Sequence, residues 1–311
     1  MMGQKESTKD IIVFYHGSCR DGFTAAWAAW KKFGDKADYI PLVWTSLNPN
    51  QIPEIKNKEI YFLDFTPIEK DIFRLIKENR LVVVVDHHIS KEELIKKVPN
   101  SVYNNSHSGA VLAWKYFHPD KKVPQICLYV EDSDIWKWEI SNSDKVLSYF
   151  DLKREFDFSV WDSLASDLED EVKQKEYEEK GAIIVLFRQK VVKEIIREHA
   201  QLVNFEGYEV YAVNGPRYFK SEIGNELAKM KPPFGIVWSY TPDEISVSLR
   251  SISDEFDVTA ITSKFNGGGH KTASNFRLPL GAPLPWKVIK GLNLQLTFND
   301  ISLKVSWENY E

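Results

Sequence analysis

The chain has 311 residues, which predicts about two domains at a typical size of ~150 residues each. Hydrophobic residues make up 43% of it and charged residues 27%, and this balance excludes an intrinsically disordered chain. The net charge of -5 excludes a polycation that neutralises many phosphates, so stable binding of duplex DNA is not expected. Short anionic substrates remain compatible with this charge.

The cysteine content and the first residues bear on the cellular compartment. Cys19 and Cys127 are too few for a disulfide framework and fit a reducing compartment. The polar residues 1–10 and the short apolar run 11–15 predict neither a signal peptide nor a membrane span. We therefore expect a cytoplasmic protein with no membrane partner, and the oligomeric state stays open.

Apolar runs of β-forming residues occur at intervals in the first half of the chain. Residues 11–15, 60–63 and 81–85 are continuous runs, which are typical of strands buried on both faces of a parallel sheet. Helical patterns lie at residues 71–78 and 108–117. This alternation predicts an open α/β sheet, in which ligands bind at the carboxyl ends of the strands.

Two further features complete this half of the chain. Ser106 or Ser108 is expected to cap the helix at 108–117, because a serine hydroxyl accepts hydrogen bonds from free backbone N–H groups. Residues 125–130 form another apolar element that leads into an acidic turn. We interpret that turn as the end of a fourth strand.

The second half begins with a charge-rich stretch, residues 162–200, that predicts one or two helices with a break or kink at Gly181. We expect it to connect two domains, the second starting near Asn204. The predicted domain ranges are 10–155, 156–203 (a helical linker) and 204–311. Within the second domain, strands are predicted at 208–213, 234–240 and 245–250, helices at 221–230 and 258–265, and a hairpin at 288–307.

Polar side chains follow the first two predicted strands directly. His16 and Asp21 lie on the tight turn after the first strand, and an imidazole nitrogen with a carboxylate oxygen suits a cation such as Mn²⁺. A purely structural turn would also explain them. Asp64 follows the next strand, where it could be functional or could cap a helix.

Two more clusters are richer in ionisable groups. Asp86, His87 and His88 follow a run of apolar residues, and two adjacent imidazoles would both need partners if they were buried. A metal site would satisfy them. Residues 131–134 contain three acids that repel one another unless a cation or solvent relieves them, and a solvated acidic turn is the alternative.

The last cluster lies in the second domain. Gly267, Gly268, Gly269 and His270 follow a predicted helix, and three successive glycines favour a backbone that comes close to an anionic ligand over a flexible surface loop. Arg250 ends a predicted strand and could bind an anion in a fork, although an exposed arginine would look the same.

Taken together, these motifs resemble the DHH/DHHA1 phosphoesterases. That family includes the RecJ-type exonucleases, the nano-RNA and 3'-phosphoadenosine-phosphate hydrolases and, more distantly, the Mn-dependent family II pyrophosphatases. The resemblance covers nearly the whole chain. Four motifs resemble those of the DHH half. The first is His16 together with Asp21, the second is Asp64, the third is residues 86–88 and the fourth is Asp132. Three segments resemble the DHHA1 half, namely residues 248–251, 257–258 and 267–270.

The resemblance implies an N-terminal DHH domain with an open parallel sheet, a helical connector and a smaller C-terminal α/β DHHA1 domain. It also implies two Mn²⁺ ions, with Mg²⁺ or Co²⁺ as substitutes, which would activate a water for in-line attack on phosphorus. The metal ligands that it implies are His16, Asp21, Asp64, His87 and Asp132. Asp64 would bridge the two ions.

Roles outside the metal shell also follow from the resemblance. His88 would contact the scissile phosphate or help to protonate the leaving oxygen, and Asp86 would orient a neighbouring imidazole. The implied substrate-binding residues are Ser108, Arg250, Gly267, Gly268, Gly269 and His270. They would hold the far end of the substrate.

One position departs from the family pattern. Members of the family often carry an additional Asp two residues before the last acid of the first motif, and this chain has Cys19 there. Cys19 could supply a thiolate, lie beside the metals without binding, or mark a site that holds one ion. Equally, Cys19 could be only a small residue that fits a tight turn, without a role at a metal.

The expected activity is that of a metal-dependent phosphodiesterase or phosphatase acting on short single-stranded oligonucleotides or small nucleotides. Residues 204–311 carry 11 Lys+Arg and 12 Asp+Glu, which does not supply a track for a long polynucleotide. Cyclic dinucleotides and longer single-stranded DNA rank behind. A pyrophosphatase or polyphosphatase and a non-catalytic nucleotide-binding sensor are the alternatives. The polarity of attack and the choice between Asp132 and Asp134 stay open.

Overall fold

The computed structural model describes residues 9–17, 19–42, 52–253 and 255–289. Its backbone divides into two compact units, Met1–Val185 and Leu186–Glu311. Among the described residues, no helix has both the length and the apolar character needed to cross a bilayer. The predicted domain boundaries at residues 156 and 204 stay predictions.

The first unit is built on a parallel sheet, as the sequence predicts. Its strands in the described residues are β1 (Ile11–His16), β2 (Ala37–Leu42), β3 (Glu59–Leu63), β4 (Leu81–Asp86) and β5 (Val102–Tyr103). They lie in the order β2-β1-β3-β4-β5, and all neighbours are parallel. The predicted strands at 11–15, 60–63 and 81–85 are confirmed, whereas β2 was not predicted because its sequence is mixed and contains Pro41.

Two cores on opposite faces of this sheet explain the continuous apolar runs. Along β1, Val13 and Tyr15 pack into one core, and Ile12 and Phe14 pack into the other. Because successive side chains of a strand point to opposite faces, a strand covered on both sides must be apolar throughout. The sequence pattern therefore reports the layered α/β architecture.

Helices flank the sheet and connect its strands. They are α1 (Arg20–Phe33), α2 (Glu69–Glu78), α3 (Glu92–Ile95), α4 (Gly109–Phe117), α5 (Gln125–Asp134), α6 (Ser143–Lys153), α7 (Phe158–Asp167) and α8 (Glu171–His199). The predicted helices at 71–78 and 108–117 are α2 and α4, and the charge-rich stretch contains α7 and α8. Ser108 caps α4, and its hydroxyl accepts from the N–H of Val111.

Two sequence-based expectations need correction here. Gly181 lies inside α8 without breaking it, and a Cβ there would come within 1.8 Å of the carbonyl oxygen of Lys145, so the glycine permits close packing. Residues 125–130 belong to α5 and do not form a strand. A short apolar run of this length has no distinguishing period, and a buried helix fits it as well as a strand.

The second unit contains a mixed sheet. Its strands in the described residues are β6 (Gln201–Phe205), β7 (Tyr208–Asn214), β8 (Phe234–Tyr240), β9 (Glu244–Ser251), β10 (Gly268–His270), β11 (Ala273–Pro279) and β12 (Lys287–Val288). Their order is β10-β11-β9-β8-β7-β6-β12, with β7 and β8 parallel and the other neighbours antiparallel. The predicted hairpin at 288–307 falls almost entirely outside the described residues.

In the described part of the second unit, the α-helices beside this sheet are α9 (Lys220–Met230) and α10 (Thr259–Thr262). Ile223 and Leu227 of α9 pack on Val213 of β7 and Val237 of β8. This packing fixes the first turn of α9 against β9, where Gly224 lies on the side chain of Arg250. The fold of the second unit therefore brings the start of α9 and the end of β9 together.

Candidate metal centre

The register of the first sheet aligns three of the predicted site residues. Tyr15 of β1 pairs with Leu63 of β3, and Leu63 pairs with Val85 of β4. The residues that follow them, His16, Asp64 and Asp86, therefore stand side by side at the carboxyl edge of the sheet. Asp64 has a φ of 53°, a left-handed conformation that Asp tolerates better than most residues.

Asp21 reaches the same place from the first turn of α1. Its two carboxylate oxygens accept hydrogen bonds from the N–H groups of Gly109 and Ala110, at 2.7 and 2.8 Å. These donors belong to the first turn of α4, whose free N–H groups favour a carboxylate. Gly22 allows α1 to start so close to β1, since a Cβ there would lie 2.1 Å from the carbonyl oxygen of His16.

His87 lies at the centre of the cluster and is almost fully buried. Its Nε2 is 3.2 Å from Oδ1 of Asp64, 3.5 Å from Oδ2 of Asp134 and 3.7 Å from Oδ2 of Asp21. His16 approaches Asp64 from the other side, with its Nδ1 3.3 Å from Oδ2. Asp64 therefore faces imidazoles on both of its oxygens.

Among the described residues of the first unit, three overlapping groups of potential metal ligands result, with the ligand atoms of each within 4.8 Å of one another. These groups are His16 with Cys19 and Asp64; Asp64 with Asp86, His87 and His88; and Asp21 with His87 and Asp134. Asp64 and His87 are each shared by two groups. This sharing is the arrangement expected of a site for adjacent cations with a bridging carboxylate.

The electrostatics of the cluster favour a bound cation. Burial raises the pKa of the Asp21 carboxyl well above its usual value, and Asp134 and Asp64 raise it further. Burial alone would lower the pKa of His87, but the hydrogen bond to Asp64 and the charge of Asp134 raise it well above its usual value. Carboxylates that repel one another and stabilise positive charge on an imidazole form a donor set that fits a divalent metal.

Asp86 and His88 form a tight pair beside this cluster. Nδ1 of His88 lies 2.6 Å from Oδ1 of Asp86, which also accepts from the backbone N–H of His87 at 2.7 Å. The other carboxylate oxygen accepts from the hydroxyl of Thr66 at 2.5 Å. Asp86 is thus in place to fix the ring orientation of His88, as the resemblance implies.

The structure separates the two acids that the sequence left undecided. Asp134 is the one beside His87, whereas Asp132 is 3% exposed and has its carboxylate occupied. Oδ1 of Asp132 accepts from the N–H groups of Glu139 and Ile140, at 2.7 and 3.3 Å, and Oδ2 accepts from the hydroxyl of Ser143. The geometry supports Asp134 as the ligand in place of Asp132.

Cys19 has contacts that fit either of two roles. Its Sγ lies 3.4 Å from Nδ1 of His16 and 3.6 Å from Oδ2 of Asp64, within the first ligand group. It also accepts from the N–H of Gly22 at 3.2 Å and so caps α1. Burial raises the pKa of this thiol well above its usual value, and Asp64 adds to the effect, so a thiolate would need a metal to form.

Ser108 does not fit its predicted role in substrate binding. It is fully buried, its hydroxyl accepts from Val111, and its backbone N–H donates to Oε2 of Glu131 at 3.0 Å. A side chain without solvent contact cannot touch a substrate that arrives from outside. We therefore assign Ser108 the capping of α4.

The second unit holds a cluster of cations around Arg250. The guanidinium donates to the carbonyl oxygen of Leu249 at 2.9 Å and to the hydroxyl of Ser221 at 3.3 Å. Burial lowers the pKa of Lys220, and the charges of Arg250 and Arg217 add to the effect, which brings the pKa to about 8. Mutual repulsion between these cations marks a position where an anion would be stabilised.

Nearby carboxylates are already engaged. Glu222 pairs with Arg188, and Glu244 pairs with Arg277. In the described part of the chain, no carboxylate pairs with Arg217, Lys220 or Arg250. Arg217 and Lys220 could not be predicted from the sequence, because a lone basic residue near the start of a helix has no pattern that distinguishes a ligand-binding residue from a solvated one.

The glycine run has a different explanation from the predicted one at two of its three positions. A Cβ at Gly267 would lie 2.3 Å from the carbonyl oxygen of Asn275, and one at Gly269 would lie 2.5 Å from that of Ala273, because β10 pairs tightly with β11. Gly268 has open space on its Cβ side. Ligand contacts of Gly268 and His270 stay a prediction.

Comparisons with known proteins add three findings. The chain matches no protein-family model. It is 31% identical over 284 residues to uncharacterized protein R106 of Acanthamoeba polyphaga mimivirus, covering 85% of this chain and 66% of that protein. It is 28% identical over 173 residues to oligoribonuclease NrnB of Bacillus subtilis (strain 168), covering 53% of this chain and 42% of NrnB. The chain thus spans less than two thirds of the length of either relative.

Among solved structures, an exopolyphosphatase-related protein from Bacteroides fragilis matches with a TM-score of 0.52 and 15% identity, over 89% of this chain and 88% of that chain. This likeness concerns the fold.

Proposed function

We propose that the chain is a metal-dependent phosphoesterase of the DHH type that hydrolyses phosphoester bonds of short oligonucleotides or small nucleotides. The observation that carries this proposal is the convergence of His16, Asp21, Asp64, His87 and Asp134 at one edge of the parallel sheet. These residues come from separate segments of the chain, and only the fold brings them together. Imidazoles and carboxylates gathered at one edge of a sheet, with Asp21, Asp64 and His87 buried, are a common signature of a metal-assisted hydrolase.

Divalent cations bound here, Mn²⁺ in our proposal, would activate a water and neutralise charge on the phosphoryl oxygens. The residues of the chain supply the geometry. Asp64 is positioned to be shared between neighbouring ligand groups, and the first turn of α4 holds Asp21 in a single orientation through two N–H donors. Such hydrogen bonds to a ligand carboxylate fix its orientation and tune its donor strength.

His88 is proposed to contact the scissile phosphate. Its Nδ1 is held by Asp86, which directs the other ring nitrogen, Nε2, away from that carboxylate. Because Asp86 is itself fixed by Thr66 and by backbone N–H groups, the orientation of the imidazole does not depend on the substrate. His88 would therefore act as a preorganised contact.

The proposed substrate class is supported by the second unit. Arg217, Lys220 and Arg250 would bind a phosphate of a short substrate, since these three cations lack carboxylate partners among the described residues. The relative NrnB is named an oligoribonuclease, and this favours a short oligoribonucleotide as the substrate. Pyrophosphate and polyphosphate are the competing substrates to be tested.

A hydrolysis panel tests the proposal. The protein would be assayed with di- to pentanucleotides, phosphoadenosine phosphate, cyclic dinucleotides, pyrophosphate and a long single strand, in Mn²⁺, Mg²⁺ or Co²⁺ and with excess EDTA. We expect the fastest turnover on the short oligonucleotides in Mn²⁺ and none in EDTA. Undiminished turnover in EDTA would refute the metal-dependent chemistry. Faster turnover of pyrophosphate than of oligonucleotides would show that the substrate is a pyrophosphate and not a nucleotide.

Matched variants assign the activity to the site. Asp64→Asn should reduce turnover by about 10²-fold or more, because it removes a charged ligand that two groups share. Asp120→Asn removes a charge from an exposed position in the same unit and should behave as the wild type. Equal activity of the two variants would show that the chemistry takes place elsewhere.

A further inference from the structure

Two tryptophans next to the metal centre are exposed in a way that the proposed chemistry does not explain. Trp136 and Trp138 are 45% and 39% exposed, and their rings meet edge to face with centroids 5.1 Å apart. Large aromatic side chains are normally placed in a core, where their area stabilises the fold. Here they follow the C-terminal end of α5 and leave much of their surface in water.

The backbone that presents them is held in an unfavourable conformation. Trp136 and Trp138 have φ values of 59° and 53°, in the left-handed region that bulky residues avoid. Residues of this kind persist only where the surrounding structure fixes them, and they cluster at functional sites. A glycine or asparagine would fit both positions with less strain, so the indole rings themselves account for the choice of residue.

Asp132 is the residue that fixes this loop. Its carbonyl oxygen accepts from the N–H groups of Lys137 and Trp138, at 2.9 and 3.2 Å. Its carboxylate accepts from the next two N–H groups, those of Glu139 and Ile140. Four consecutive N–H groups thus converge on one buried residue, which makes Asp132 a positioning residue for the loop.

Lys137, between the two tryptophans, is directed elsewhere. Its Nζ lies 3.4 Å from the carbonyl oxygen of Ser106 and 3.9 Å from Oε1 of Glu131, so the lysine is bound back to its own unit. The two indoles, in contact with each other, are therefore presented together. They form a small aromatic surface, which we call the tryptophan pair.

The tryptophan pair is close to the ligands along the chain. Asp134, which lies 3.5 Å from Nε2 of His87, precedes Trp136 by two residues. Two trans peptide units span at most about 7.6 Å between Cα atoms, so the pair begins within one nucleotide's reach of the proposed metals. A base attached to a phosphate at the metal centre could therefore reach an indole face.

We propose that Trp136 and Trp138 form a stacking site for a nucleobase of the substrate, adjacent to the scissile phosphate. This inference rests on the proposed function and specifies its substrate class, because stacking requires a base and pyrophosphate or polyphosphate has none. Every base offers an aromatic face, so such a site selects nucleotides without selecting a sequence. That behaviour suits an enzyme that degrades short oligonucleotides of mixed sequence.

The test compares two substrates on two proteins. The substrates are a ribodinucleotide and the same sugar-phosphate backbone with both bases replaced by hydrogen, and the variant is Trp136→Ala with Trp138→Ala. We expect kcat/KM for the dinucleotide to fall about five- to a hundredfold, the range found for loss of one stacked base. On the abasic substrate the wild type and the variant should agree within about twofold, since neither can stack a base.

Controls separate stacking from folding. Trp136→Phe with Trp138→Phe retains aromatic faces and should keep most of the dinucleotide activity, and Leu152→Ala removes a 69% exposed apolar side chain of the same unit outside the loop. Leu152→Ala should match the wild type on both substrates. An equal loss on both substrates in the Ala variant, or no loss on the dinucleotide, would overturn the stacking site.

Failure of the proposed function gives a different result. If the wild type hydrolyses no dinucleotide, dinucleotide binding is measured by calorimetry in Mn²⁺ on the wild type and on the Ala variant. Binding that is lost in the variant would support the stacking site even without hydrolysis. Binding that is equal in the two proteins, or absent from both, would overturn it.

Discussion

At the scale of single residues, the neighbouring acids Asp132 and Asp134 have different tasks. Asp134 lies beside His87, and Asp132 accepts hydrogen bonds from the loop that follows. We predict that Asp134→Asn weakens Mn²⁺ binding by more than about tenfold, because an amide is a poorer ligand than a carboxylate. Isothermal titration calorimetry with Mn²⁺ measures this directly.

The matched variant Asp132→Asn should keep the Mn²⁺ affinity within about twofold and lose about 1–2 kcal/mol of unfolding free energy. Its buried hydrogen bonds would then go to a neutral group in place of a charged one. Urea denaturation measures this loss. The assignment of the two acids would be reversed if Asp132→Asn lost Mn²⁺ and Asp134→Asn did not.

Lys220 gives a prediction about pH. Burial and the neighbouring arginines lower its pKa from an ordinary 10.5 to about 8. Below pH 8 its ammonium group is charged and attracts an anion, and above pH 8 that charge is lost. Sulfate, which keeps its charge throughout, should therefore bind the protein several-fold more weakly at pH 9 than at pH 7 by calorimetry.

Lys220→Arg supplies the control for this effect. A guanidinium stays charged over the whole range, so the variant should bind sulfate with little change between pH 7 and 9. In the wild type, the unfolding free energy should increase as the pH rises, whereas sulfate binding should weaken. Because the unfolded chain holds this proton up to about pH 10.5 and the folded chain releases it near 8, Lys220 makes the unfolding free energy rise with pH in that window. A wild type with pH-independent sulfate binding would exclude Lys220 from the anion site.

At the scale of secondary-structure elements, the start of α4 shapes the candidate metal centre. A Cβ at Gly109 would lie 2.6 Å from Cβ of Asp64 and 2.8 Å from Oδ2 of Asp21. Gly109→Ala should therefore push these two carboxylates apart and reduce turnover and Mn²⁺ affinity by about tenfold or more, as misplacement of site groups by ångströms does. Mn²⁺ calorimetry and the dinucleotide assay report the two losses.

Gly34→Ala is the control for a glycine substitution that strains the chain away from the site. Gly34 has a φ of 54° and no atom near its missing Cβ, so the variant meets backbone strain only. It should cost about 1 kcal/mol of stability and leave Mn²⁺ affinity unchanged. If Gly109→Ala and Gly34→Ala behaved alike, α4 would not control the carboxylates.

The elements also show how far the sequence could predict this fold. The strands β1, β3 and β4 are buried on both faces, so their uniform apolar runs predicted a parallel sheet, and the polar residues after them predicted the site. α5 was predicted wrongly because the five apolar residues 126–130 are too short a run to show a helical or a strand period. Because α5 is a helix, its last turn places Asp134 at the cluster, and the loop that follows α5 occupies the carboxylate of Asp132. The choice between Asp132 and Asp134 therefore depends on hydrogen bonds among residues 132–143, which no local sequence pattern encodes.

At the scale of the whole molecule, the two units contribute different chemistry in our proposal. The proposed metal ligands, His16, Asp21, Asp64, His87 and Asp134, lie in the first unit. The cluster of Arg217, Lys220 and Arg250, which pair with no carboxylate among the described residues, lies in the second. Each set has its own cause in the fold, the carboxyl edge of the parallel sheet in one case and the meeting of α9 with β9 in the other. Substitutions in the cation cluster should therefore leave Mn²⁺ affinity unchanged, and substitutions among the proposed metal ligands should leave anion binding by the second unit unchanged.

Arg250→Gln and His270→Ala test this separation. Losing a charge-assisted phosphate contact at Arg250 should lower kcat/KM for a dinucleotide about tenfold to a hundredfold, equivalent to about 1.5–3 kcal/mol, while Mn²⁺ affinity stays unchanged. A small ester such as methyl p-nitrophenyl phosphate should be hydrolysed almost normally, since it never used that binding energy. Lys229→Gln removes an exposed charge from α9 and should change neither activity. If Arg250→Gln or His270→Ala lost Mn²⁺ affinity, or slowed both substrates equally, the second unit would be part of the catalytic chemistry and the separation of roles would be wrong.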